Sequence, residues 1–214
     1  MKYKDIREQV LKAILEATKL GLIHGTSGNI SVRDKNENVV AITPSNLAYD
    51  TMTVEDIAIV DINGNQLEGK YKPSSETPMH TAVMRMREDV NAVVHTHSKY
   101  ATVMSMRGEP LLRATVPSNM YYPIKTTTEF FPPGSEGLAK TAVEAIGKDG
   151  DVTLLKNHGL LATGADIDSA MTCAIYTEEC AEIGYLAALA GFNDFISEED
   201  SLFIRNIAKG GNAV

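Results

Sequence analysis

Cysteine is scarce in this chain: of 214 residues only Cys173 and Cys180 carry thiols. Both fall in the stretch 166–190, which reads as helix, and their spacing separates them by roughly 10 Å along its axis, too far for a disulfide. Reduced thiols in a core are the expectation, as in a cytoplasmic protein. Long apolar runs are missing too. None approaches the roughly 18 residues of a membrane-spanning helix, and the charged opening Met1-Lys2-Tyr3-Lys4-Asp5 lacks the apolar core of a secretion signal. Positive charge is short: 20 Lys and Arg against 28 Asp and Glu leave a net charge of −8, without a basic cluster. That argues against a nucleic-acid partner. A small anion is still compatible, because a few backbone N–H groups can hold a phosphate without a basic surface. No linker, repeat or low-complexity tract interrupts the chain, so a single domain over 1–214 is expected, long enough for a substantial core.

Periodicity supplies the elements. Ile6, Val10, Ile14 and Ala17 recur at helical spacing, which predicts a helix over about 3–20 ending at Gly21. Further helices are predicted over 76–88 with Pro78 in the first turn, 98–106, 138–146, 166–190 and 198–208. Strands are predicted over 30–33, 39–42, 57–62, 92–97, 111–116, 152–156 and 160–163. The segment 117–134 holds four of the eight prolines, along with Tyr121, Tyr122, Phe130 and Phe131, and is expected to be irregular. Helices around and between centrally placed strands predict a layered α/β domain, and hairpin-length connections predict a mainly antiparallel sheet.

Chemistry concentrates in a few places. His95 and His97 sit two apart on a predicted strand, so they share a face. His158 sits on a turn between two apolar strands. Three imidazoles with one exchangeable position make a usual layout for a catalytic metal. We read these histidines as candidates for one such site, against the alternative of separate surface or hydrogen-bonded side chains. His80 follows Glu76 by one helical turn and reads as a packed or hydrogen-bonded histidine rather than a ligand. His24, at a helix–loop junction, reads as structural. Glu76 opens a helix; it is a candidate base for a C–H proton beside a Lewis acid, or simply a first-turn acid stabilised by the helix dipole. Thr26-Ser27-Gly28-Asn29, Thr43-Pro44-Ser45-Asn46 and Ser74-Ser75 are three small polar turns, each able to offer hydroxyls and N–H groups to a phosphate.

Gly25-Thr26-Ser27-Gly28-Asn29-Ile30-Ser31, Thr43-Pro44-Ser45, Pro73-Ser74-Ser75-Glu76, Val94-His95-Thr96-His97 and Asn157-His158-Gly159-Leu160 follow one another in the order and spacing of a known family. The chain resembles class II aldolases of the L-fuculose-1-phosphate aldolase type, in a superfamily that also holds L-ribulose-5-phosphate 4-epimerases and the adducin head. The resemblance spans nearly the whole chain. It implies a three-layer α/β/α domain around a mainly antiparallel sheet, and a homotetramer with active sites at subunit interfaces. It implies Zn2+, with Mn2+ as an alternative, on Glu76, His95, His97 and His158, and Glu76 as the catalytic acid/base. It implies a small phosphorylated sugar as substrate, with Thr26, Gly28, Asn29, Ser45, Asn46, Ser74 and Ser75 at the phosphate-binding positions. Glu rather than Asp after the paired serines favours an aldolase within the family; the following Thr77-Pro78-Met79-His80 looks somewhat epimerase-like, so the epimerase stays as the alternative. A non-catalytic adducin-like module is expected to lack the ligands that this chain keeps.

Two departures from the family pattern stand out. Asn46 replaces the glycine that usually ends the second phosphate loop, and asparagine tolerates left-handed backbone geometry. The tyrosine that the family supplies across the interface has no clear equivalent: the simplest alignment places Ala114 there, and Tyr121 and Tyr122 are the nearby candidates. The family's C-terminal tyrosine is missing. The aldehyde half of the substrate is therefore left open between fuculose 1-phosphate and a shorter sugar such as 5-deoxyribulose 1-phosphate.

Overall fold

Eight strands form one sheet in the computed structural model, which describes residues 1–211. They are β1 (Asn29–Asp34), β2 (Val39–Ile42), β3 (Ala58–Asp61), β4 (Gln66–Glu68), β5 (Ala92–Thr96), β6 (Lys125–Thr126), β7 (Val152–Leu155) and β8 (Gly159–Gly164). The helices are α1 (Lys4–Lys19), α2 (Thr77–Met86), α3 (Lys99–Ser105), α4 (Val116–Asn119), α5 (Glu136–Ile146), α6 (Ile167–Leu189) and α7 (Glu198–Ala208). The sheet order is β4-β3-β2-β1-β5-β8-β7-β6, and every neighbouring pair is antiparallel except β6 with β7.

Strand alternation divides the interior into two cores. Ile30, Val32, Ala92, Val94, Leu160 and Ala162 face one side, where they meet Val10 and Ile14 of α1, Ala101 of α3 and Ala174 of α6. Val40, Ile42, Val60, Val93 and Leu161 face the other, against Met79 and Val83 of α2 and Leu138 and Ala142 of α5. The result is a three-layer α/β/α domain with a mainly antiparallel sheet. Period-two residues with both parities apolar are what a sheet covered on both faces demands.

Caps fix the helix positions. The Asp166 carboxylate accepts the Ser169 N–H at 2.8 Å at the start of α6, and Ser135 accepts from Leu138 at the start of α5. Glu178, on α6, accepts the N–H groups of Tyr100 and Ala101 at 2.9 and 2.8 Å, which ties the first turn of α3 to α6 just downstream of His97. Cys173 and Cys180 are free and buried in α6. No helix among the described residues is long and apolar enough to cross a membrane.

Two expectations need correction. The predicted strand 111–116 does not join the sheet. Leu111 bonds to Ile124 and the Arg113 carbonyl accepts from Ile196, so the stretch pairs with loops, and Pro117 starts the short α4 at its end. The segment 117–134 is not wholly irregular, since it holds α4 and the two-residue β6. The edge strand β4, three residues long, has no counterpart among the predicted strands.

Candidate metal centre and its recess

The centre grows out of β5. Val93 packs toward α2 and α5, so His95, two residues on, projects to that same face, and His97 follows just past the strand end. Across the register, Asn29 of β1 stands directly opposite His95, which places its side chain on the same face. Gly28 precedes it with φ +80, and a Cβ there would lie 2.7 Å from the His95 carbonyl oxygen. On the other flank the chain turns from β7 into β8 through Asn157 at φ 55, which swings His158 toward β5. Gly159 completes that approach, because a Cβ there would lie 2.0 Å from the Thr96 carbonyl oxygen. From the facing layer, Glu76 caps α2 and drops its carboxylate onto the histidines.

The three imidazoles form a triangle, with ring centroids 4.7 to 4.9 Å apart. Nε2 of His97 and Nε2 of His95 face one another at 3.0 Å. Glu76 Oε2 lies 3.1 Å from His95 Nε2, and Oε1 lies 3.5 Å from His158 Nε2. One ligand atom from each of the four residues falls within 4.8 Å of all the others.

The donor set fits a divalent cation. His95 Nδ1 sits 2.7 Å from the Leu160 carbonyl. A carbonyl only accepts, so Nδ1 carries the hydrogen and the Nε2 lone pair points into the cluster, the outer-shell arrangement that orients metal-binding histidines. Glu76 Oε1 and both ring nitrogens of His158 are buried without a hydrogen-bond partner, an arrangement that is costly unless something else occupies the centre. Burial, then the adjacent His95, pushes the His97 pKa down to about 3 and that of His158 to about 4, so both are neutral, as ligands must be. Burial works against ionising Glu76. The adjacent His95 and the hydrogen bond from Asn29 outweigh it and hold the carboxyl well below the usual range.

A recess of about 170 Å³ adjoins the cluster, with Glu76 and His97 in its wall. The structure brings all three polar turns to it: Thr26, Gly28 and Asn29 from the first, Ser45 and Asn46 from the second, Ser74 and Ser75 from the third. Asn46 has φ 58, so the asparagine takes up the left-handed conformation required there. Thr26, Asn46 and Ser75 are exposed, whereas Ser45 Oγ donates to the Pro73 carbonyl and Ser74 Oγ accepts the Glu76 N–H. Asn29 differs from its phosphate-loop reading in one respect: its side-chain amide is turned inward, to Glu76 and His80.

Tyr121 and Tyr122 do not reach this recess. Tyr121 packs against the α1/α6 core, where burial raises the pKa of its hydroxyl, and Tyr122 lies under Arg113. Ala114 packs against the same core. His80 stays outside the ligand group and His24 is exposed in its loop. Pro133, which was not singled out in the sequence, lines the recess; nothing local to the proline-rich segment marks that residue for the role.

The family model described as Class II Aldolase and Adducin N-terminal domain matches residues 8–185. A 5-deoxy-D-ribulose 1-phosphate aldolase of Bacillus thuringiensis serovar kurstaki is 36% identical over 203 residues, covering 95% of this chain and 93% of that protein. An L-ribulose-5-phosphate 4-epimerase of Salmonella paratyphi B is 32% identical over 195 residues, covering 86% of each. A solved structure of an L-fuculose 1-phosphate aldolase superposes with a TM-score of 0.92 at 31% identity, covering 98% of both chains.

Proposed function

The chain belongs to the class II aldolase and adducin family, and from that premise we propose that it is a metal-dependent aldolase, a carbon–carbon lyase. Its reaction is the reversible cleavage of a short deoxyketose 1-phosphate to dihydroxyacetone phosphate and an aldehyde. The observation that carries this reading is Glu76 Oε1, a buried carboxylate oxygen without a hydrogen-bond partner, 3.5 Å from His158 Nε2 on a residue that also lines the polar recess.

Glu76, His95, His97 and His158 hold the cation, with zinc as the first choice and manganese acceptable to the same donors. When bound, it supplies a Lewis acid for the ketose oxygens, an effect worth several kcal/mol. The chain's own residues do the rest. The hydroxyls of Thr26 and Ser75 and the turns at Gly28 and Asn46 take the phosphate, beside Ser45 and Ser74, near the N-terminus of α2. In cleavage, the bond between the carbinol carbon and the carbon next to the ketone breaks. The electron pair stays on the ketone side, and Glu76 delivers a proton to that carbon; in condensation Glu76 removes it. A tyrosine of a neighbouring copy takes the carbinol O–H proton in cleavage, as the aldehyde forms, and returns it to the new alkoxide oxygen in condensation. Tyr121 and Tyr122 are the two candidates, and Tyr122 is the one not packed against the core.

A homotetramer is supported by apolar side chains left exposed along α6 and α7, among them Ile183, Leu186, Leu202 and Phe203. A cytoplasmic setting is supported by the two free thiols. The relative matching 95% of this chain acts, by its name, on 5-deoxy-D-ribulose 1-phosphate, and that sugar is the substrate proposed here.

The test is to load the purified protein with zinc and follow release of dihydroxyacetone phosphate from 5-deoxyribulose 1-phosphate and fuculose 1-phosphate, with L-ribulose 5-phosphate in parallel. Release from the deoxypentulose phosphate supports the proposal. Epimerisation of L-ribulose 5-phosphate without release would replace it by the epimerase.

A further inference from the structure

A buried hydrogen-bonded chain links β1 to Glu76. Asn29 and Ser31 project to the same face of β1, and His80 drops onto them from α2, one turn beyond Glu76. The His80 side chain is completely buried. Its Nδ1 lies 2.7 Å from Ser31 Oγ and its Nε2 lies 2.6 Å from Asn29 Oδ1. Asn29 Nδ2 then donates to Glu76 Oε2 at 2.9 Å.

The end members fix every proton along the chain. An ionised carboxylate only accepts, so Asn29 turns its amino group to Glu76 and its carbonyl to His80. A carbonyl only accepts, so His80 carries its hydrogen on Nε2, and Nδ1 accepts from the Ser31 hydroxyl. Flipping the amide would set carbonyl against carboxylate and amino group against N–H, two repulsions at once. The carboxylate therefore sets which way Asn29 points and Asn29 sets the His80 tautomer; His80, anchored by Ser31, in turn holds the Asn29 amide in that orientation, and Asn29 selects which oxygen of Glu76 is held.

We propose that His80 and Ser31 are positioning residues for Glu76. Through Asn29 they pin Oε2 beside His95, and they leave Oε1 as the oxygen that meets the substrate. The inference rests on Glu76 as the proton-transfer group of the proposed aldolase. Filling space does not call for this arrangement, since an apolar side chain of similar volume suits a buried helix–sheet contact without needing partners. What sets His80 apart is that one of its two hydrogen bonds leads straight to the reacting carboxylate.

The experiment combines spectroscopy with three variants of the zinc-loaded protein. Nitrogen-15 spectra of the histidine-labelled wild type should show His80 as the Nε2–H tautomer. His80→Leu should slow exchange of the carbon-bound proton of dihydroxyacetone phosphate with solvent by about 10- to 100-fold, and should weaken zinc binding by about 10-fold, the usual scale for losing an outer-shell partner. The KM for dihydroxyacetone phosphate should stay near its wild-type value. His80→Gln, which keeps a donor and an acceptor, should recover most of both losses. If His80→Leu does not fold, Ser31→Ala tests the same direction with a smaller change. Wild-type exchange and zinc affinity in the folded variants, or an Nδ1–H tautomer, would overturn the proposal. A wild-type enzyme that exchanges no proton overturns the aldolase reading instead, and the tautomer and zinc affinity then judge the relay alone.

Discussion

Glu76 Oε2 lies 3.1 Å from Nε2 of His95, joining the cap of α2 to the end of β5 across the sheet–helix interface. The same oxygen accepts from Asn29, while Oε1 has no hydrogen-bond partner. One carboxylate thus has a held side and a free side. Glu76→Gln keeps the shape but removes the ability to take a proton. Zinc content by elemental analysis should be retained, and turnover should fall by about 100- to 10,000-fold, the usual span for a lost general acid/base. Wild-type turnover in this variant would rule Glu76 out as the proton carrier.

Acid should destabilise the metal-free protein well above the carboxylate range. Burial, then the adjacent His95, lowers the pKa of His80 and His97 to about 3 and that of His158 to about 4, from an ordinary value of 6.5. Between those values the unfolded chain binds protons that the folded chain refuses, so stability rises with pH across the window. The contribution is complete above about 6.5 and is lost as pH falls toward about 4 and then 3. Glu76, also lowered, acts in the same sense below its ordinary 4.5. Urea midpoints should drop steadily through this range, and a flat profile would contradict neutral buried imidazoles. Zinc at neutral pH should raise the midpoint, by about 2.7 kcal/mol of stability at a hundredfold excess over its dissociation constant.

Much of this site is legible in the sequence because its signals are local. The period of two places His95 and His97 on one face, and the serine pair followed by Glu76 and Pro78 marks a helix start. What escaped is non-local. Asn29 reads as one more turn residue until its register opposite His95 turns the amide inward. β6 has two residues and exists through its parallel pairing with β7, a partner that no nearby residue announces. Leu111, Leu112 and Val116 have the apolar content of a strand, yet the backbone of this stretch pairs with loops, Leu111 with Ile124 and Arg113 with Ile196. Pro133 reaches the recess only through the path of the whole 117–134 segment.

Gly159 is where the sheet and the candidate metal centre depend on the same missing atom. Gly159→Ala would set a methyl 2.0 Å from the Thr96 carbonyl oxygen and 3.2 Å from the His97 Cα. The β5–β8 pair must part to accept it, which should cost about 1–3 kcal/mol of stability as overpacking. It should also draw His158 away from His95 and His97. Thermal unfolding and zinc titration together are the check: an equal loss in zinc-free and zinc-loaded protein would mean that the strand shifts and the ligands do not.

Ser75 separates phosphate recognition from the chemistry. It is exposed in the recess, beside Ser74 and Asn46, and lies next to Glu76 in sequence without sharing in the hydrogen bonds of the ligand cluster. Ser75→Asp places a carboxylate where the phosphate dianion is proposed to sit. Like charges brought together in a binding site cost several kcal/mol, so the KM for the sugar phosphate should rise by about 100-fold or more. Inhibition by inorganic phosphate should weaken in parallel, while zinc content stays at the wild-type level. Ser75→Ala, which removes only a hydroxyl, should cost about tenfold or less. If Ser75→Asp leaves both the KM and the phosphate inhibition unchanged, the phosphate binds elsewhere and the three polar turns serve the fold alone.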